Sequence, residues 1–202
     1  MTEPIVQDGD PVLRQKAKPV ALKDIQSPKI KRLIARMKKL LSQEAVGVGL
    51  AAPQVGESLR IFIVSGRAFL PGVAEPAEVP AKENPDVKPA PVQIPPDMVF
   101  INPEIIRKSR TKLEMSEGCL SVRGYYGTVM RHEKMTLRAL DERGKPFTYH
   151  GSGLIAHIFQ HETDHLEGTL YIDKAVKLQT EKEREELRKQ FPPGEKTHHH
   201  GI

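Results

Sequence analysis

Between residues 27 and 44 apolar side chains recur at helical spacing: Ile30, Leu33, Ile34, Met37, Leu40 and Leu41 form one stripe, the pattern of a helix laid against a core. Ser27-Pro28 predicts its start, because serine can accept from an early helix N–H and proline at the first helical position has no N–H to leave unpaired. Residues 47–56 (GVGLAAPQVG) are too punctuated by glycine to predict a regular element, and the β-rich run 59–65 after them predicts a buried strand. Short β-like stretches follow at 98–101, 104–109, 128–132, 135–140 and 147–151, with Asp141-Glu142-Arg143-Gly144 as a turn, so antiparallel hairpins are expected. A second helix is predicted from a Ser152 cap to Gly168. Leu154, Ile158, His161 and His165 share one stripe of it, with Ile155, Phe159 and Leu166 beside them, so this helix is expected to be central and mostly buried.

These elements define an α+β fold: short antiparallel sheets around a central helix, with the N-terminal helix packed outside. Residues 66–97 hold nearly half of the 17 prolines and read as a surface insertion in a domain spanning 1–175. Residues 176–202 form a charged tail, helical by propensity over 179–190 and stopped by Phe191-Pro192-Pro193-Gly194. His198 to His200 are given no function.

A length of 202 residues with 38% hydrophobic content suits one domain with one core. No apolar run approaches the roughly 18 residues that span a bilayer, and the polar start lacks the order of a secretory signal, so a soluble cytoplasmic protein without a membrane partner is expected. The net charge of +5 permits contact with an anionic surface without identifying one, and no specific nucleic-acid sequence is implied. The one cysteine, Cys119, cannot form an internal disulfide; it is either an inert buried thiol or kept for its chemistry.

His161-Glu162-Thr163-Asp164-His165 supplies that chemistry. Two imidazoles one helical turn apart can bind one metal ion, with a carboxylate adjacent. A catalytic site normally takes three protein ligands and keeps a position open. The zinc-protease pattern His-Glu-x-x-His-x-x-Gly-x-x-His is matched through Gly168, but Tyr171 stands where its last histidine would be, and a phenol is a poor substitute at neutral pH. Cys119 is the better candidate for the third ligand.

Three segments in order, 47–56 (GVGLAAPQVG), 117–122 (EGCLSV) and 160–168 (QHETDHLEG), resemble the signature motifs of the peptide deformylase family. Gly9-Asp10-Pro11-Val12-Leu13-Arg14 and residues 137–141 are similar to it as well, so the resemblance covers about 5–175 apart from the insertion. Arg123 departs from the pattern, standing where many members have proline, and the insertion is longer than in many.

The resemblance implies removal of the formyl group from N-formylmethionyl nascent peptides, with release of formate. It implies one metal held by Cys119, His161 and His165, with Fe2+ first, Zn2+ as competitor, and Ni2+ or Co2+ able to fit the same site. Glu162 would be the general base, and the Gln54 side-chain amide and the Leu120 backbone N–H would stabilise the oxyanion. Val48 and Gly49 would pair with the extended substrate. Val48, Leu154, His157 and Ile158 are candidate walls of a methionine pocket. Two other readings stand beside it: a zinc protease that does not need Cys119, and a metal-stabilised module docking on ribosomal RNA. An Arg131–Asp164 ion pair is expected to hold helix against sheet. Lys29, Arg32, Arg36 and Lys39 recur at intervals of three or four as one exposed basic stripe, a candidate ribosome contact.

Overall fold

The computed structural model describes residues 4–70 and 93–190. Helix α1, Pro28–Gln43, starts where predicted: the Ser27 hydroxyl accepts from the Ile30 N–H at 3.4 Å, and all six residues of the apolar stripe are buried. Its end is closed by a side chain rather than by a glycine. Arg67 donates to the carbonyls of Leu41, Glu44, Ala45 and Gly47 at 2.8 to 3.2 Å, gathering acceptors that the last helical turn cannot pair.

An antiparallel sheet of five strands contains, in spatial order, β1 (Gly49–Ala51), β2 (Ile61–Val64), β3 (Met98–Lys108), β6 (Lys134–Leu140) and β7 (Pro146–Ser152). A second sheet joins β4 (Lys112–Cys119), β5 (Val122–His132) and β8 (Lys177–Thr180). Helix α2, Gly153–Leu166, packs against β1, β2, β6 and β7 of the first sheet and β5 of the second, and α3 is Glu181–Gln190. This is an α+β architecture. Strand β2 explains why 61–64 reads as an unbroken apolar run: Ile61 and Ile63 join the cluster under α1, while Phe62 and Val64 join the cluster under α2. Phe62 stacks on Phe100 at 4.7 Å, and Phe159 of α2 meets Phe100 edge-on at 5.0 Å, which fixes α2 on the sheet.

Several boundaries differ from expectation. The stretches 98–101 and 104–109 are one strand, β3. Asn102 takes a φ of 50° ahead of Pro103 and exchanges two 2.8 Å hydrogen bonds with the Val20 backbone, so the chain kinks without ending the strand. Strand β4 escaped the pattern because only Glu117 of its eight residues is fully buried, so it carries no apolar alternation. The glycine-rich 47–56 segment holds β1 and a one-turn helix, Ala52–Val55. The expected tail helix begins two residues late, because 177–180 pairs with β5 and carries the sheet past residue 175. Ser152 precedes α2, but its side chain makes no capping bond; Gly153, at a φ of 52°, makes the turn into the helix.

The segment expected as an insertion, 66–97, is described at its two ends. Gly66–Phe69 is a one-turn helix, the Gly66 N–H donates to Asp97 at 3.0 Å, and a Cβ on Gly66 would lie 1.7 Å from the Pro95 carbonyl. Its two stems are therefore pinned together; the remainder, 71–92, and the segment 191–202 lie outside the described residues. The basic stripe on α1 is also not uniformly exposed. Arg36 is half-buried and donates to the Val55 carbonyl, and Lys29 sits 3.5 Å from Glu57, both engaged with the turn beside the helix. Arg32 and Lys39 are exposed. Among the described residues no helix is long and apolar enough to cross a membrane.

Candidate metal centre

Helical spacing sets His161 and His165 on one face of α2, with ring centroids 5.0 Å apart. Cys119 ends β4 and pairs with Val122 across a tight turn made by Leu120 and Ser121. The packing of β5 on α2 brings that turn to the histidines: Cys119 Sγ is 3.3 Å from His165 Nε2, and one ligand atom from each of the three residues lies within 4.8 Å of the others. Tyr171 is no part of this group. Its ring stacks on His161, but its hydroxyl donates to the Tyr125 carbonyl at 2.9 Å.

The other expected site residues gather around the same point. Gln54 is buried; its side-chain oxygen accepts from the Ala51 N–H at 2.8 Å, and its Nε2 faces Cys119 Sγ at 3.4 Å and Ser121 Oγ at 3.2 Å. The amide is thus a loop cap on one end and a donor aimed at the thiol on the other. Leu120 is half-buried, and its carbonyl accepts from Gln7 at 3.1 Å. Glu162 is 3% exposed, with Oε1 over Gly49 so closely that a Cβ there would lie 2.3 Å from it. Its Oε2 has no hydrogen-bond partner among the described residues, nor does His165 Nδ1. A cavity of about 510 Å3 opens over this group. Val48, Gly49, Leu154, His157 and Ile158 all line it, as do Gln54, Leu120 and Glu162. At the rim Arg123 pairs with Glu44 at 2.8 Å.

Sequence reasoning missed Glu117. It lies two residues before Cys119 on β4, across a shift in the strand register, and is 2% exposed. Arg131 Nε and Nη2 donate to its two oxygens at 2.5 and 3.0 Å; His157 Nε2 reaches Oε1 at 2.8 Å and His161 Nδ1 reaches Oε2 at 2.6 Å. Arg131 also meets Asp164 at 2.7 Å, and Asp164 meets Lys174 at 2.6 Å. The Arg131–Asp164 pair is present, but as the outer arm of a network centred on Glu117. Only the two-residue offset from Cys119 and the need of buried Arg131 for a second anion could have pointed to it.

Burial raises the carboxyl pKa of Glu117, yet the hydrogen bonds from His157, His161 and Arg131 outweigh it and hold it well below the usual range. Glu162 has no such donors: burial pushes it up to about 7, Glu117 adding to the rise and His161 opposing it. For His161 burial disfavours the cation, but Cys119 and Glu117 overcome this and raise it well above an ordinary imidazole; burial, aided by His161, lowers His165 well below one. These are the directions without a cation, whose charge would stabilise carboxylate and neutral imidazoles instead.

The chain that carries this group has known relatives. The sequence profile of the polypeptide deformylase family matches residues 2–181. The chain is 39% identical over 170 residues to peptide deformylase 1A, chloroplastic, of Solanum lycopersicum, covering 84% of this chain and 58% of that protein. It is 41% identical over 187 residues to peptide deformylase of Chlorobaculum parvum, covering 93% and 87%. The solved structure of a class I type b peptide deformylase from Acinetobacter baumannii with Met-Ala-Ser bound superposes with a TM-score of 0.69 at 30% identity, covering 86% of this chain and 98% of that one. The chain belongs to the polypeptide deformylase family.

Proposed function

We propose that this chain is a metal-dependent hydrolase that removes the formyl group from the N-terminal formylmethionine of nascent peptides, releasing formate. The observation that carries the reading is the convergence of Cys119, His161 and His165 beside a buried Glu162 whose Oε2 has no partner. The donor set fits a divalent cation: one sulfur and two ring nitrogens, with His161 Nδ1 committed to Glu117 so that Nε2 is left to bind. Thiolate with two imidazoles suits Fe2+, the first candidate, and equally Zn2+, Ni2+ or Co2+. When bound, the cation would polarise the formyl carbonyl and bring the pKa of water at the site toward neutrality.

The chain's own residues carry the rest. β1 is the edge strand of its sheet, so Val48 and Gly49 can pair with an extended peptide along its free side. That pairing aims the methionine side chain into the cavity walled by Val48, Leu154, His157 and Ile158. Glu162 takes the proton of the attacking water and returns it to the amine nitrogen as the C–N bond of the formamide breaks. Gln54 Nε2, already turned toward the site, and the Leu120 N–H stabilise the oxyanion formed between these steps. The Met-Ala-Ser bound by the Acinetobacter baumannii relative is a peptide of the kind this reaction releases. We place the activity in the domain 1–175 with its insertion, and in the cytoplasm. Ribosome contact would use the exposed Arg32 and Lys39 with Lys29.

The test is hydrolysis of formyl-Met-Ala-Ser by the full chain with and without a chelator. Formate release lost on chelation and restored by Fe2+ or Co2+ is expected; unchanged turnover in chelator rejects the metal reading, and cleavage of internal peptide bonds would favour the protease alternative.

A further inference from the structure

A carboxylate offers about four lone-pair directions, and Glu117 has all four occupied. Arg131 takes one on each oxygen as a fork. The remaining two are taken by histidines from one face of α2, His157 on Oε1 and His161 on Oε2, four residues apart. A ring nitrogen 2.8 Å from a carboxylate oxygen must carry a hydrogen, so His157 Nε2 is a donor. Helical periodicity and a cavity wall at this position would both be satisfied by a hydrocarbon. The imidazole does something more: it pulls on the oxygen opposite the one that orients His161.

We infer that His157 is a positioning residue, which holds Glu117 against His161 and so fixes the ring that faces the metal. The inference rests on the proposed metal centre. The Arg131 fork takes one lone pair on each oxygen, and the two histidines take the remaining pair from the α2 side, so each oxygen is held between two donors. Without His157, Oε1 keeps only Arg131 Nε, and the carboxylate can rock toward His161 and turn its ring. Since His157 also lines the cavity, a side chain seated there touches the same brace, which links occupancy of the pocket to ligand geometry.

The experiment compares cobalt-loaded wild type, His157→Ile and His157→Gln, measuring cobalt transfer to a chelator, the visible absorption bands of the cobalt, and kcat and KM on formyl-Met-Ala-Ser. Loss of an outer partner of a ligating histidine costs about 10-fold to 100-fold in metal affinity. His157→Ile keeps that direct partner, Glu117, but loosens it, and should therefore lose cobalt several-fold and up to about 10-fold faster, shift the bands, and lower kcat more than it raises KM. His157→Gln, which retains a donor for Oε1, should restore slow cobalt release and the wild-type bands. Cobalt release and bands unchanged in His157→Ile, with only KM altered, would reduce His157 to a pocket wall and overturn the inference. So would His157→Gln releasing cobalt as fast as His157→Ile. A wild-type chain that binds no cobalt would overturn the metal centre itself, a result separable from either.

Discussion

Gly49 can be tested by a single methyl group. Its φ is not in the left-handed region, so alanine brings no backbone strain, and β1 pairs with β2 through its backbone alone. The added Cβ would lie 2.3 Å from Glu162 Oε1, 2.9 Å from its Cδ and 3.1 Å from Ile158 Cγ2. Ordinary contact begins near 3.4 Å, so the carboxylate must retreat by about 1 Å. It can do so, because it ends a flexible side chain beside a cavity. The fold should survive, with an unfolding midpoint within about 5 °C of wild type. The rate should not: displacing a catalytic group by about 1 Å costs on the order of 100-fold. Steady-state kinetics on formyl-Met-Ala-Ser should show Gly49→Ala with kcat down by roughly that factor and metal content intact. The loss should also overlap with that of Glu162→Gln, the double variant being little worse than Glu162→Gln alone, because both act on one carboxylate. A kcat within about threefold of wild type, or losses that multiply, would refute the assignment of Glu162 to proton transfer.

Glu162→Gln should keep one metal per chain by elemental analysis while turnover falls by about 100-fold or more, since the base is not a ligand. Cys119→Ser should lose most of its metal on dialysis against a mild chelator, because hydroxyl is a far poorer ligand than thiolate. Arg131→Leu strands the buried Glu117 carboxylate and should cost about 3 to 5 kcal/mol in denaturant unfolding. Asp164→Asn, partly exposed and still beside Lys174, should cost about 1 to 3 kcal/mol, and a double-mutant cycle should show coupling above about 0.5 kcal/mol. If α1 is the ribosome anchor, the Lys29→Glu, Arg32→Glu and Lys39→Glu triple variant should lose co-sedimentation while hydrolysing a short formyl-Met peptide normally; Arg36 is spared because reversing it would break its bond to Val55.

The helices were legible because one-sided burial writes a period into the sequence, and α1 and the ligand pair of α2 both carry it. The ligands were legible because the chemistry constrains residue type and spacing within one helical turn; Cys119 was the better third candidate by residue type, and the resemblance strengthened it, since nothing local ties residue 119 to residues 161 and 165. Glu117 was not legible for the opposite reason. Its partners come from β5 and α2, 14 to 44 residues away, and a charged residue in a polar strand looks like a solvated one until the fold buries it. Strand β4 was hidden for the same cause, and β8 because its partner, not its own composition, makes it a strand.

The pinned stems at Gly66 and Asp97 set the tolerance of the neighbouring site to change. Val64 pairs with Gly49 and the Ser65 N–H bonds the Val48 carbonyl at 2.8 Å, so the proposed substrate-pairing edge stands directly before the place where the chain departs at residue 71. Were that edge held only by the departing chain, each insertion or deletion would shift it. Instead the edge, the end of α1 and the returning strand are tied to one another through Arg67, Gly66 and Asp97. The register of that edge is therefore set by contacts among residues 47–67 and 95–97 themselves. An edge strand held this way keeps its place through three ties of its own, so loss of any one of Arg67, Gly66 or Asp97 should loosen the edge while the others remain.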